Sequence, residues 1–301
     1  MTRWLFFVVI LFLFLSSFQC SRQSVTPEAI PVFVSIVPQK YFIDKIGGAF
    51  VRTSVMVEPG ASPHSYEPRP SQMTALSKAR AYFSMGLEFE KVWLPRFCRI
   101  SSGMTVVSMD SGVPKKSIDL NEKNSKASAQ EALKDHHHEG MDPHIWLSPN
   151  LVKIQAKTIC EALCSLDPKH DSAYSVHWKA FEAEITTLQD SIRTILNSRS
   201  PQMSRKAFMV FHPSWGYFAD EFGLRQIAIE IEGKEPSAKQ LQLIIETAKS
   251  SNVRRIFVQP QFSQRSAQII ARQLGVSVEI ADDLSYDWGN NLLHFAKALA
   301  F

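Results

Sequence analysis

The sequence predicts an α/β protein in which two parallel-sheet lobes are joined by one long connecting helix. Three observations predict this class. Short apolar strands alternate with helical segments in the first half of the chain, the alternation returns in the second half, and an unbroken helical pattern separates the two halves. Such alternation is typical of parallel sheets covered by helices on both faces. A chain of 301 residues is long enough for about two domains, each with its own core.

The N-terminus is predicted to be a secretory signal peptide over residues 1–19. Arg3 precedes an apolar run at 4–15, which is shorter than the roughly 20 residues of a membrane-spanning helix, and small residues follow the run. Cys20 lies where a lipoprotein cysteine would lie, although the residues before it fit the lipoprotein signature poorly. We therefore expect export to the periplasm or to the outer face of the cytoplasmic membrane, with a lipid anchor at Cys20 as an open alternative to a free protein.

The N-terminal lobe is predicted to cover residues 28–166. Its strands are expected at 32–37, 53–57, 81–85 and 105–109, with helical segments such as 41–46 and 73–79 between them and a final helix at 149–166. Residues 114–141 are rich in Lys, Ser, Asn and Asp and have almost no large apolar side chains, which predicts an exposed, mobile loop. This loop contains His136, His137 and His138.

The connecting helix is predicted over residues 167–199. Its apolar residues recur at steps of four and three, and Asp167 followed by Pro168 has the pattern of a helix start. About 30 helical residues extend about 45 Å, which is long enough to reach from one domain to another. The C-terminal lobe is predicted over residues 200–301. Its strands are expected at 207–211, 226–231, 255–258 and 276–280, and its helices at 217–221, 237–250, 264–274 and 290–299.

The cysteines do not predict a disulfide framework. After Cys20 the chain has only Cys98, Cys160 and Cys164, and a protein of this size does not need disulfides to be stable. Cys160 and Cys164 are four residues apart on a helical pattern and therefore share a face. We interpret them as a pair of small core residues, because a zinc site would need a second pair nearby.

Three of the nine histidines have the same local setting. His64 and His212 follow predicted strands, and the carboxyl ends of parallel strands are where open α/β sheets bind ligands. His144 opens a helix after the mobile loop, and a proline stands directly beside each of the three. One such residue alone would be interpreted as an ordinary hydrogen-bonded histidine. Three of them on stiffened loops, spread over two lobes, predict a metal site.

A fourth candidate ligand is Asp282, which follows the predicted strand at 276–280. Asp283 is the adjacent rival. Either carboxylate could instead be a loop residue or a helix cap.

The chain resembles the metal-binding solute-binding proteins of zinc and manganese ABC importers, the ZnuA/TroA-like family. The resemblance covers nearly all of the chain after residue 19. It is carried by Gly60-Ala61-Ser62-Pro63-His64-Ser65-Tyr66-Glu67-Pro68, Asp142-Pro143-His144-Ile145-Trp146, His212-Pro213-Ser214-Trp215-Gly216-Tyr217-Phe218-Ala219 and Glu232-Gly233-Lys234-Glu235-Pro236-Ser237. Gln72 and Ser148 depart from the pattern, since the family often has Asp there, and neither is a ligand position.

The resemblance implies two lobes bridged by a rigid helix, with a metal ion bound in the cleft. It implies His64, His144 and His212 as ligands, with Asp282 or a water molecule in the fourth position. Zinc members of the family have a His-rich loop where this chain has His136 to His138. We interpret that cluster as a capture or sensing element, with a solvated loop of no special role as the alternative.

The expected metal is Zn²⁺, with Mn²⁺ as the alternative. Three imidazole nitrogens and one carboxylate or water give the tetrahedral set that Zn²⁺ accepts, whereas Mn²⁺ prefers more oxygen ligands. Manganese members of the resembled family commonly have a carboxylate where this chain has His212. Cu²⁺ and Ni²⁺ bind nitrogen sites as well as zinc does or better.

The expected function is capture of Zn²⁺ by a monomeric, non-enzymatic extracytoplasmic protein that delivers it to an ABC-type membrane permease. One alternative is a zinc-dependent hydrolase, because three histidines and an open position also describe catalytic zinc sites, although the chain has no HExxH pattern. Another is a manganese-binding or adhesin surface lipoprotein. A net charge of +4 gives no support to nucleic-acid binding.

Overall fold

A computed structural model describes residues 29–117, 141–198, 207–231 and 234–300. The N-terminal sheet has four parallel strands in the order β2-β1-β3-β4. The strands are β1 (Ile30–Val34), β2 (Val51–Val55), β3 (Ala81–Ser84) and β4 (Thr105–Ser108). Helices α1 (Val37–Gly47), α2 (Pro70–Leu76) and α3 (Glu88–Ile100) connect them. The parallel sheet with connecting helices is the arrangement that the strand and helix alternation predicts.

Two consecutive helices lead from this sheet to the second one. They are α4 (Pro149–Leu166) and α5 (Asp171–Asn197), with a 3₁₀ turn at Pro168–His170 between them. Ser148 caps α4 by accepting a hydrogen bond from the backbone N–H of Leu151. Asp167 has a different role from the predicted cap, because its Oδ2 accepts hydrogen bonds from the ring of His170 and the hydroxyl of Tyr174.

The C-terminal sheet repeats the topology of the first one, with parallel strands in the order β6-β5-β7-β8. Its elements in chain order are β5 (Ala207–Val210), α6 (Gly216–Glu221), β6 (Arg225–Ala228), α7 (Ala238–Ser250), β7 (Arg255–Val258), α8 (Arg265–Leu274), β8 (Ser277–Ile280) and α9 (Trp288–Ala300). Two parallel-sheet lobes joined by a 27-residue helix confirm the predicted fold class.

One hydrophobic core runs through both lobes. It includes Phe42 and Tyr82 from the N-terminal lobe together with Phe208 and Phe295 from the C-terminal lobe. The apolar stripe of α5 is buried within it, as its spacing predicts. A second, smaller core lies in the C-terminal lobe and includes Met209, Ile245 and Ile270. Because the larger core is shared, a movement of one lobe against the other would disturb close packing.

Several bounds differ from the sequence prediction, and the long helix begins at Asp171 rather than at residue 167. The first strand ends at Val34 rather than at residue 37, and α1 begins directly after a two-residue turn. Helix α3, which contains Pro95, was not among the predicted segments. The signal peptide, Cys20 and the cluster His136 to His138 lie outside the described residues. Within the described residues, no helix is both long and apolar enough to cross a membrane.

Candidate metal centre

The three predicted histidines lie together between the lobes. Nε2 of His212 is 3.1 Å from Nε2 of His64 and 3.1 Å from Nε2 of His144. One nitrogen from each of the three rings lies within 4.8 Å of the other two. Around a Zn²⁺ ion with Zn–N bonds of about 2.0–2.1 Å, tetrahedral nitrogens are about 3.3 Å apart. The rings therefore need only small shifts to share one ion.

His64 is supplied by the loop between β2 and α2. Gln72, in the first turn of α2, holds this loop at several points. Its Oε1 accepts hydrogen bonds from the hydroxyl of Tyr66 at 2.9 Å and from the backbone N–H of Arg69 at 2.9 Å, while its Nε2 donates to the carbonyl of Met56 at 2.6 Å. The Asp that the family often has at this position could accept the first two of these hydrogen bonds but could not donate the third.

His144 is held by Asp142, two residues before it. Oδ1 of Asp142 lies 2.7 Å from Nδ1 of His144 and also accepts the backbone N–H of His144 at 2.9 Å. The carboxylate therefore keeps the proton on Nδ1 and leaves the lone pair of Nε2 free for a metal ion. His144 is 1% exposed, so this orientation is also fixed by packing.

The C-terminal lobe fixes the position of Asp142. The hydroxyl of Tyr217, in α6, donates to the carbonyl of Asp142 at 3.0 Å and accepts the backbone N–H of Lys116 at 3.0 Å. The carbonyl of Lys116 in turn accepts the N–H of Asp142 at 2.7 Å. The Nζ of Lys116 lies 2.5 Å from Oδ2 of Asp220, in α6. The candidate ligand His144, in the N-terminal lobe, is thus oriented through Asp142 by a helix of the C-terminal lobe.

His212 follows β5 and has a carboxylate partner of its own. Oε1 of Glu230, which follows β6, lies 2.6 Å from Nδ1 of His212. Gln259, directly after β7, accepts the backbone N–H of His212 at 3.2 Å and donates to its carbonyl at 2.8 Å. Phe262 stacks on the imidazole with ring centroids 5.0 Å apart. These contacts present Nε2 of His212 to the other two rings.

The histidines line a cavity of about 10 Å³, the size of one water-sized sphere. Its wall includes Asp283 and not the predicted ligand Asp282. Oδ1 of Asp282 accepts the backbone N–H of Leu284 at 2.9 Å, as a loop-capping carboxylate does. Oδ1 of Asp283 is buried and has no hydrogen-bond partner among the described residues. A buried, unpaired carboxylate oxygen beside three imidazoles suits a cation.

Burial sets the protonation of the site. The pKa of His64 is lowered to about 3, first by burial and then by the positive charge that His212 and His144 would carry when protonated. Burial raises the pKa of Asp283 to about 6, against the opposing effect of His212. At neutral pH, His64 is therefore a neutral imidazole and Asp283 is mostly ionised. Both are in the form that binds a metal ion.

Sequence reasoning did not assign roles to Asp142, Glu230 and Gln259. Asp142 was visible as part of a motif, two residues before His144. Glu230 and Gln259 follow β6 and β7, so the rule that selected His212 after β5 applies to them as well. None of the three cysteines within the described residues belongs to this cluster.

Two parallel-sheet lobes, joined by a long helix and sharing an ion-sized cavity of three imidazoles, define the class of metal-binding solute-binding proteins. Comparison with known proteins gives the same class. The family model of the zinc-uptake complex component A, periplasmic, matches residues 32–297, and the chain belongs to this family.

Individual relatives match this chain over most of their own lengths. The chain is 26% identical over 294 residues to a protein of Chlamydia trachomatis described as metal-binding, covering 97% of this chain and 99% of the relative. It is 26% identical over 293 residues to the high-affinity zinc uptake system protein ZnuA of Bacillus subtilis, covering 94% of this chain and 89% of the relative. A crystal structure of ZnuA superposes with a TM-score of 0.80 at 40% identity, covering 91% of this chain and 98% of the other.

The protein is therefore a metal-binding component of an ABC importer and not an enzyme. The zinc-hydrolase alternative is wrong.

Proposed function

We propose that the protein captures Zn²⁺ with high affinity between its lobes and delivers it to an ABC-type permease in the membrane. The observation that carries the proposal is the convergence of three imidazole nitrogens, from His64, His144 and His212, within 4.8 Å of one another. Carboxylates fix the tautomers of two of them in advance, so little ordering is needed when the ion binds.

The donor set supports zinc over manganese. Imidazole nitrogen suits Zn²⁺, while Mn²⁺ favours carboxylates and water. His212 gives the candidate ligand set a third imidazole nitrogen, whereas a carboxylate at this position would favour manganese. The relative from Bacillus subtilis is named a zinc uptake protein, which supports the same choice.

For the fourth position, the geometry favours Asp283 over the predicted Asp282. Asp283 lines the cavity and has a free buried oxygen, whereas Asp282 is used by the backbone of its own loop. With three neutral imidazoles and one carboxylate, the Zn²⁺ complex would keep a net charge of +1, which lowers the penalty of burying the ion.

Hydrogen bonds between the lobes support a binding mechanism with small movements. The carboxylate of Glu221, in α6, accepts hydrogen bonds from the hydroxyl of Ser148, from the N–H of Asn150 at 3.0 Å and from Gln189 at 2.6 Å. It thereby joins the start of α4 and the middle of α5 to the C-terminal lobe, with its negative charge at the positive end of α4. We infer that metal entry and release use loop movements around His64, the most exposed of the three ligands.

Location and assembly remain predictions from the sequence. We expect the exported protein to act as a monomer at the outer face of the cytoplasmic membrane or in the periplasm, with the lipid anchor at Cys20 as the alternative to a free form. Mass spectrometry of the membrane fraction would detect the acyl chains.

Zinc titration of the metal-stripped protein tests the proposal. Competition with a chromophoric chelator should find one tight site, and His144→Ala should weaken it at least about 100-fold, since loss of even an outer-sphere partner costs about 10- to 100-fold. His294→Ala, on the exposed face of α9, is the matched control and should bind like the wild type. Delivery is tested by zinc-limited growth of a strain lacking its own zinc-binding component. Unchanged affinity in His144→Ala would refute the site, and failed rescue by a zinc-binding chain would refute delivery.

A further inference from the structure

A second cluster of metal-ligating side chains lies near the end of α4. Cys160 and Cys164 are four residues apart on one face of the helix, and their Sγ atoms are 4.0 Å apart. Because α4 begins at Pro149, the thiols lie about 16 to 23 Å along its axis from the end that adjoins His144. This pair is therefore separate from the imidazole site.

Both cysteines pack with the larger hydrophobic core, as the sequence predicts, and Cys164 also reaches the surface. Cys160 is buried, but Cys164 is only partly buried, and its Sγ lies 3.7 Å from the backbone carbonyl of Asp171 at a solvent-exposed contact. Cys164 is therefore the more accessible of the two thiols. The other described cysteine, Cys98, is exposed on α3 and has no thiol partner among the described residues.

Helix geometry keeps the two thiols from forming a disulfide. Side chains at i and i+4 have Cβ atoms about 5–6 Å apart, whereas a disulfide needs about 3.5–4.5 Å. The helix remains regular past the pair, since the N–H of Asp167 donates to the carbonyl of Leu163 at 2.9 Å. Closing a disulfide would require the last turn of α4 to unwind. The thiols are thus held close enough to share a ligand and too far apart to oxidise together.

We propose that Cys160 and Cys164 form a binding site for one soft, thiophilic cation, for which Cu⁺ is the test ion. Thiolate ligands select such cations over hard ones. Two sulfurs 4.0 Å apart form an angle of about 120° at an ion about 2.3 Å from each, which is a trigonal arrangement. The carbonyl oxygen of Asp171 lies on the open side as a neutral third donor.

Binding exchanges protons for the metal ion. Burial and the neighbouring Cys164 raise the pKa of Cys160 to about 11, so the sulfur of Cys160 carries a proton at neutral pH. The cation binds as two S–H protons leave to solvent, and no electron is transferred. Zn²⁺ at the imidazoles would then lie near the start of α4, and Cu⁺ at the thiols would lie near its end.

The test is anaerobic titration of the reduced, metal-stripped protein with Cu⁺, in a background of Cys20→Ser so that the N-terminal thiol does not compete. Iodoacetamide labelling followed by peptide mass spectrometry then measures each cysteine separately. One equivalent of Cu⁺ should slow labelling of Cys160 and Cys164 together by at least about tenfold and leave Cys98 unchanged. This measurement uses the wild-type pair and does not depend on a variant that folds poorly.

Variants separate the thiol site from other copper ligands. Cys164→Ser should weaken chelator-competed Cu⁺ affinity by at least about 100-fold, while Cys98→Ser is the matched control and should not change it. His144→Ala should leave the labelling protection intact. Equal protection of Cys98, unchanged affinity in Cys164→Ser, or a Cys160–Cys164 disulfide in the native protein would overturn the proposal.

Discussion

The role of Glu230 in orienting His212 leads to the sharpest prediction for the metal centre. Its Oε1 is 2.6 Å from Nδ1 of His212, and the side chain is 4% exposed, so the bond is short, charge-assisted and shielded from water. When zinc binds at Nε2, positive charge spreads over the ring, and the carboxylate stabilises that charge. Glu230→Gln keeps the size of the side chain and removes its charge.

The magnitude follows from the type of bond. A hydrogen bond to a charged group contributes about 1.5–3 kcal/mol, and each 1.4 kcal/mol corresponds to about tenfold in affinity. Glu230→Gln should therefore weaken zinc binding by about 10- to 100-fold. The glutamine oxygen can still accept the Nδ1 proton, so the variant should keep one zinc site and lose affinity rather than capacity.

The assay is competition for zinc against a chelator of known affinity, with the unfolding midpoint measured on the same metal-free samples. Glu246→Gln is a matched control, since Glu246 is exposed on α7 and contacts Gln242 on the same helix. Binding within about twofold of wild type in Glu230→Gln would refute the claim that the carboxylate tunes the ligand. A similar loss in the control would show that the effect is not specific to the site.

Three other changes test separate parts of the account. Asp283→Asn should weaken zinc binding by at least about tenfold and Asp282→Asn by less than about twofold, and the reverse order in chelator competition would restore Asp282 as the ligand. Because the pKa of His64 falls from 6.5 to about 3 on folding, the contribution of neutral His64 to the stability of the metal-free protein is complete above pH 6.5 and is lost as the pH falls toward 3. Between pH 7 and pH 5, the free energy of unfolding of the wild type in urea should fall by about 2 kcal/mol more than that of His64→Gln, and parallel pH profiles would contradict this. The raised pKa of Asp283 changes stability with pH in the opposite direction, and it does so in both proteins. Deleting residues 118–140 should leave the tight zinc site intact in calorimetry, because Ser117 and Met141 already pair across the gap, and loss of tight binding would place a ligand in the deleted segment.

Much of the fold could be predicted because apolar strands and helical spacing are local properties of the chain. The exceptions depend on contacts that local patterns do not contain. The first strand ends early because Oε1 of Gln39 accepts the N–H groups of Ser35 and Ile36 and so starts α1. The β-branched residues after Val34 continue the strand pattern in the sequence, so this end could not be predicted from it. Helix α3 begins because the buried carboxylate of Glu90 accepts backbone N–H groups of the preceding loop. Pro95 then masks its helical pattern, although the helix continues through it.

The candidate site shows the same division between local and distant information. The three histidines could be selected because each has a proline neighbour and two follow strands. Glu230 lies 18 residues from His212, and only the pairing of β6 beside β5 brings the two together. Choosing between Asp282 and Asp283 needs the direction of each side chain after β8 ends, where strand alternation no longer applies. That choice could not be made from the sequence.

X-ray absorption at the zinc edge, on protein loaded with one equivalent of Zn²⁺, identifies the atoms bound to the metal ion. The proposed site should give three imidazole ligands at about 2.0–2.1 Å with one oxygen and no sulfur. A spectrum with sulfur at about 2.3 Å, or with fewer than three imidazoles, would contradict it.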